Sequence, residues 1–180
     1  MNDSVRMMAP LRVEINGALA LVTLDRPDKR NALSIELRFA LADALDDLAA
    51  RDDVHAAVLT GAGSAFCAGM DVTQFGGDEA NRRALLDSSA RAFGAVARFP
   101  KPLVAYVNGA AIAGGFAIAL LCDVRVAAPE ARMGFPEIGR HIPPSYAAAR
   151  AALPESLARE LCLTGRLLDA GEAERRGVVS

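Results

Sequence analysis

Two glycines at the head of an apolar run, Gly114-Gly115, are the first residues in this chain with chemistry to offer. The run that follows has helical length and ends at Asp123. The opening N–H groups of a helix have no partner inside it, and the helix dipole favours negative charge at that end. Bare backbone there can hold an anion, or a carbonyl oxygen that gains charge as it reacts. Tight packing of a buried helix accounts for the same glycines equally well. The second group is Glu137, flanked by Phe135, Pro136 and Ile138. Desolvation in an apolar pocket would raise its pKa toward a value that suits a base, whereas bonding to loop backbone would leave it inert. His141 would be a further acid/base group if its loop turned inward; a surface histidine is the simpler reading.

Other chemistries find little support. Gly61-x-Gly63 lacks the third glycine and the following helix of a dinucleotide site, and no Gly-Lys-Ser/Thr phosphate loop is present. Cys67, Cys122 and Cys162 are odd in number and lack metal-ligand spacing, which points to reduced thiols in a cytoplasmic protein. A net charge of -2 argues against a nucleic-acid partner. Met1 to Pro10 contains no apolar segment of the secretory type. Leu103 to Cys122 is apolar but for Asn108, yet Gly109, Gly114 and Gly115 interrupt it, so strand, turn and helix are expected rather than membrane insertion.

The elements that must position these groups follow from periodicity. At 180 residues the chain is read as a single domain, 1–180, with a core of Ala, Val, Leu and Ile. Leu11 to Ile15 alternates as a strand, Asn16-Gly17 turns the chain, and Ala18 to Leu24 returns. A polar loop, Asp25 to Asn31, leads to Ser34, which caps a helix through Ala50 with Leu37, Leu41, Leu45 and Leu48 on one face. Val54 to Thr60 is a strand, Gly61 to Asp71 a loop, and Thr73 to Gly77 a loose, mobile segment. Glu79 to Phe99 reads as an amphipathic helix stopped by Pro100 and Pro102. After the central stretch come a strand at Val124 to Ala128 and a short extended piece at Ala131 to Phe135. Helices follow at Ser145 to Leu153, at Glu155 to Leu163 and, capped by Asp169, at Ala170 to Arg176. Val178-Val179 opens a further strand, and the mixture is α/β.

Several of these segments in order resemble the crotonase superfamily, the enoyl-CoA hydratase/isomerase group. They are Arg26-Pro-Asp-Lys-Arg-Asn-Ala-Leu33, Gly61-x-Gly63-x-x-Phe66-Cys-Ala-Gly-Met-Asp71, Lys101-Pro-x-x-Ala-x-x-Asn-Gly109, Ala113-Gly-Gly115 to Cys122-Asp123, Phe135-Pro-Glu137 and Thr164-Gly-Arg166. The resemblance covers Leu11 to Val179. It implies a crotonase-like (ClpP/crotonase) spiral of ββα units with two roughly perpendicular sheets. It implies an acyl-CoA thioester substrate, with coenzyme A as part of the substrate and no separate cofactor or metal. The thioester oxygen would be held by the backbone N–H groups of Met70 and Gly114, beside Gly115. Contacts to the coenzyme would come from Lys29, Arg30, Ala32, Ala68, Gly69 and Asp71.

The same resemblance separates two reactions. Hydratases of the family hold a water between two glutamates, and the positions here are Ala117 and Glu137. Alanine cannot hold or deprotonate water, so a single-carboxylate isomerase is favoured. A hydratase with another second group, or an acyl-CoA-binding protein without turnover, are the alternatives. Some serine peptidases share the fold, but no Gly-x-Ser-x-Gly is present. Helices beyond Ser180 that cover the acyl pocket and join subunits into trimers or hexamers are implied by the family, and the chain is expected to lack them.

Overall fold

The computed structural model describes residues 4–8 and 10–180, with side chains from residue 10 onward. The reading of the first ten residues therefore falls in part, at residues 1–3 and 9, outside the described residues. Among the described residues, ten strands form two sheets. The larger contains β1 (Ser4–Met8), β2 (Leu11–Asn16), β3 (Leu19–Leu24), β4 (Ala56–Gly61), β6 (Leu103–Val107) and β8 (Val124–Ala127), in that spatial order. β1, β2 and β3 are antiparallel; β3, β4, β6 and β8 are parallel. The smaller sheet has the order β10 (Leu167–Asp169), β9 (Arg132–Gly134), β7 (Ala110–Ile112), β5 (Ala65–Cys67). Each of β4, β6 and β8 leaves the large sheet and is followed directly by a strand of the small one, β5, β7 or β9. A helical segment closes each turn: α2 (Glu79–Ala97), α3 (Gly114–Leu121), then the 3₁₀ turn Pro136–Arg140. The chain thus winds as a spiral of ββα units, as the resemblance implied.

The alternation in β2 buries Leu11, Val13 and Ile15 and leaves Arg12 and Glu14 facing out. Ser34 caps α1 (Ile35–Ala49) by accepting from Leu37 N at 3.2 Å. α1 buries Leu37, Leu41, Leu45 and Leu48 and packs against α2. Lys101 donates to Leu48 O and Arg51 O at the far end of α1, satisfying carbonyls that the helix leaves open. Asp123 accepts from Leu103 N at 2.8 Å and so fixes the start of β6 against the end of α3. α3 is buried from Gly114 through Leu120. α4 (Tyr146–Ala152) packs on α3, α5 (Glu155–Thr164) on the Pro136–Arg140 turn, and α6 (Ala170–Arg175) follows β10.

Four parts differ from the sequence reading. β1 was not expected, β5 lies in a segment read as loop, and β7 and β10 lie in segments to which no element was given. Three-residue strands offer too few positions for alternation to show, and their pairing is entirely long-range. Thr73 to Gly77 is not a loose segment. A 3₁₀ turn, Val72–Gln74, opens it, and Gln74 accepts from Ile35 N at 2.8 Å while Asn81 donates to Gln74 O and Gly76 O. Val178-Val179 forms no strand among the described residues, although Ser180 N donates to Arg125 O of β8.

Candidate active site

The loop that carries one of the two candidate donors is built on Asn31. This residue is fully buried and sits at φ 56°, a left-handed conformation that asparagine tolerates. Its side chain donates to Ala62 O (2.9 Å) and Ala65 O (2.7 Å) and accepts from Arg26 N (2.9 Å). Ala68 N in turn donates to Arg30 O at 2.9 Å. These bonds set the course of Ala65 to Ala68. Asn31→Ala would leave three backbone groups without this partner, Ala65 O buried and Ala62 O and Arg26 N half-buried, at a cost of roughly 1–3 kcal/mol for the buried one and less for the others. We expect a loss of at least about 2 kcal/mol, read from urea denaturation midpoints.

Leu33 brackets the next residues: its N donates to Gly69 O (2.8 Å) and its O accepts from Asp71 N (3.2 Å). That bridge runs through Gly69 O and Asp71 N and does not use the Met70 N–H, for which no backbone acceptor is found among the described residues. Asp71 caps the Val72–Gln74 turn and pairs with Arg26 at 2.9 Å. The Thr73 hydroxyl, ahead of the Arg26 guanidinium, holds its carboxyl below the usual carboxylate range.

The second donor opens α3. Ala113 precedes it at φ 53° and ψ -120°, a strained conformation for a residue with a side chain, and its N donates to Gly134 O at 2.9 Å. Gly114 is the first helical residue, so its N–H has no acceptor within the helix. The two segments touch. A Cβ placed on Gly69 would lie 3.5 Å from Gly114 N, and one on Gly114 would lie 3.5 Å from Met70 Sδ.

Glu137 comes from the third side, on the Pro136–Arg140 turn. Phe135, just before it, is fully buried and stands 5.1 Å from Phe116 of α3, ring centre to ring centre. The turn carrying the carboxylate is thereby tied to the helix carrying the donor. From behind, Gly165 at the end of α5 approaches so closely that a Cβ there would lie 2.8 Å from Ile138 Cγ2. Glu137 Oε2 is buried with no hydrogen-bond partner among the described residues. Burial pushes its pKa above the usual carboxylate range, and the hydrogen bond from its own N–H offsets this only in part.

Met70, Gly114 and Glu137 line one cavity of about 700 Å³, mostly apolar, together with Arg30 and Ala68. The remaining candidates stand outside its lining. Asp71 is engaged in the ion pair and cap just described, and Gly115 is buried against Cys67, so both act in the structure as packing and positioning residues. Gly69 backs onto Ala113, Ala32 accepts from Arg26, and Lys29 is exposed. His141 is an exposed residue at φ 59°, and Cys67 is buried with its thiol pushed up to about 12. Sequence reasoning missed Val72, Phe75, Ser89, Arg140 and Ser145 as lining residues. Of the apolar residues that spacing puts on one face of α2 (Leu85, Leu86, Ala90, Phe93, Val96 and Ala97), Ala90 and Phe93 line the cavity, Val96 is buried in the core and Leu86 is exposed.

The fold and cavity define a class: an α/β spiral whose apolar cleft sets one buried carboxylate against a helix N-terminus. Comparison with known proteins makes the class specific. The enoyl-CoA hydratase/isomerase family model matches residues 14–180, and the chain belongs to that family, within the crotonase superfamily. A Thermus thermophilus protein, an enoyl-CoA hydratase by name, is 44% identical over 172 residues, covering 91% of this chain and 67% of the relative. The 2,3-dehydroadipyl-CoA hydratase of Escherichia coli is 35% identical over 176 residues, covering 96% and 69%. The crystal structure of an enoyl-CoA hydratase/carnithine racemase from Magnetospirillum magneticum superposes with a TM-score of 0.91 at 30% identity, covering 97% of this chain and 68% of that one. The chain spans about two thirds of the length of these relatives.

Proposed function

We propose that this chain binds an acyl-CoA thioester and shifts its double bond, with Glu137 as the only acid/base group. The carrying observation is the unpartnered Glu137 Oε2 in the cavity that Met70 and Gly114 also line. The ionised Glu137 takes a proton from C2 of a 3-enoyl-CoA. The electron pair spreads over C2 to C4 and onto the thioester oxygen, which accepts hydrogen bonds from Met70 N and Gly114 N. Glu137 then returns the proton to C4, and the double bond lies between C2 and C3. No atom is gained or lost. Arg30 and Ala68, on the cavity lining, and Lys29 beside them are the coenzyme contacts of this reading. Three buried free cysteines favour a reducing cytoplasm, and trimers or hexamers are the assembly that the family resemblance suggests.

Hydration is the second reading, favoured by the names of the relatives. Against it stands Ala117, fully buried and without a polar atom in its side chain. Product analysis separates the readings. With a 3-enoyl-CoA in H₂¹⁸O, isomerisation yields the 2-enoyl thioester without label. With a 2-enoyl-CoA in the same water, hydration yields a labelled 3-hydroxyacyl product. Hydration of the 2-enoyl substrate without conversion of the 3-enoyl one, or binding without turnover of either, contradicts the isomerase reading.

A further inference from the structure

The wall that α2 gives to the cavity has a charge behind it that the proposed reaction does not use. Arg38 of α1 is fully buried. Its Nε donates to Ser34 O at 3.2 Å, and its Nη1 donates to Leu85 O at 3.0 Å and to Ser89 Oγ. Its Nη2 is buried with no hydrogen-bond partner among the described residues. None of those acceptors is a carboxylate: Glu36 and Asp71 favour the cation only at a distance, and a buried cation with no bonded counter-ion is costly in a protein interior. Stapling α1 to α2 accounts for the bonds to Leu85 and Ser89, and the bond to Ser34 stays within α1, but a neutral side chain would do that without the charge.

Ser89 lies between this guanidinium and the cavity, which it lines. Its hydroxyl is now turned to Leu85 O at 2.7 Å. A serine hydroxyl rotates freely enough to donate into the cavity instead, with Arg38 still donating to its oxygen. The charged groups on the lining are Arg30, Arg140 and Glu137, so the lining itself carries an excess of positive charge. Resting on the acyl-thioester reading above, we infer that the substrate's acyl chain ends in a carboxylate, bound by Ser89 with Arg38 behind it as counter-charge. Ser89 is then the specificity-determining residue for the acyl end, and the preferred substrate is the mono-thioester of an unsaturated dicarboxylic acid.

The test compares kcat/KM for two thioesters of equal length, hex-3-enoyl-CoA and hex-3-enedioyl-CoA, together with their 2-enoyl isomers. The wild-type chain is expected to favour the carboxylated substrate tenfold or more. Ser89→Ala should lower that preference at least tenfold, and Ser89→Asp, which places a carboxylate beside Arg38, should invert it. A merely structural Ser89 would change both substrates alike, and that outcome overturns the inference. Turnover of the neutral thioester with no preference for the carboxylated one also overturns it while leaving the proposed reaction standing. Turnover of none of them overturns both.

Discussion

Replacement of Glu137 by glutamine is expected to lower the turnover of a 3-enoyl-CoA by roughly 10²–10⁴-fold, the range that a positioned general base supplies. Glutamine keeps the shape and the burial but cannot take a proton. Acyl-CoA binding, followed by calorimetry with a saturated thioester, should remain within a few fold, because backbone amides hold the thioester oxygen. The same variant carries a signature in stability. Burial raises the pKa of Glu137, so the folded chain holds this proton more tightly than the unfolded chain does. The stabilisation from this group is complete below the unfolded pKa and is lost as pH rises through the folded one. At neutral pH the ionised carboxylate therefore weighs against folding, and glutamine relieves it. Thermal midpoints of Glu137→Gln should equal or exceed those of the parent at pH 7, with the gain shrinking as pH falls into the carboxylate range. A variant that is less stable at pH 7 and fully active would remove Glu137 from the chemistry.

The second large effect is expected from a single methyl group. A Cβ on Gly115 would lie 2.4 Å from Cys67 O and 2.7 Å from Cys67 Cβ. Neither atom can step aside, since Cys67 belongs to β5 and is fully buried. Gly115→Ala must therefore push α3 away from the chain that leads through Ala68 and Gly69 to Met70. Overpacking of this kind costs roughly 1–3 kcal/mol. Its catalytic effect is larger, because it separates the two proposed amide donors; loss of one such donor costs about 10²–10³-fold in rate. Gly114 is the contrasting case. A Cβ there meets only Leu33, Met70 and Phe93 side-chain atoms at 3.4–3.6 Å, which is ordinary contact. Two adjacent glycines thus have different reasons to be glycine: one lets two chain segments close up, the other keeps a side chain off the cavity face.

The three candidate groups that share the cavity lining, Met70, Gly114 and Glu137, were legible in the sequence because each belongs to a short local pattern. A glycine-headed apolar helix and a glutamate among apolar neighbours can both be read from a few consecutive residues. The family-like segments led further than their own chemistry. Asn31, Asn108, Asp123 and Arg166 all lie in them, and each spends its side chain on fixed bonds rather than on the cavity: Asn108 to Gly61 and Gly63, Arg166 to Glu160 and Glu172. Only the coordinates show where those side chains are spent. Asp71, read as a coenzyme contact, and Gly115, read as a neighbour of the thioester oxygen, likewise lie off the cavity lining, in an ion pair and against Cys67. What periodicity could not show is what tertiary packing alone decides. Ser89 sits on the buried side of α2 by spacing, and nothing local says that a buried arginine from α1 stands behind it. The short strands β5, β7 and β10 escaped for the same reason, since each is defined by partners far away in the chain.

The central claim is that Met70 N and Gly114 N converge on one oxygen. A crystal structure of the chain with a saturated acyl-CoA, which cannot turn over, tests it most directly. The account predicts the thioester oxygen at about 2.7–3.1 Å from both nitrogens, with a Glu137 carboxylate oxygen facing C2. A thioester seated elsewhere in the cavity, or an oxygen bonded to only one of the two amides, would contradict it.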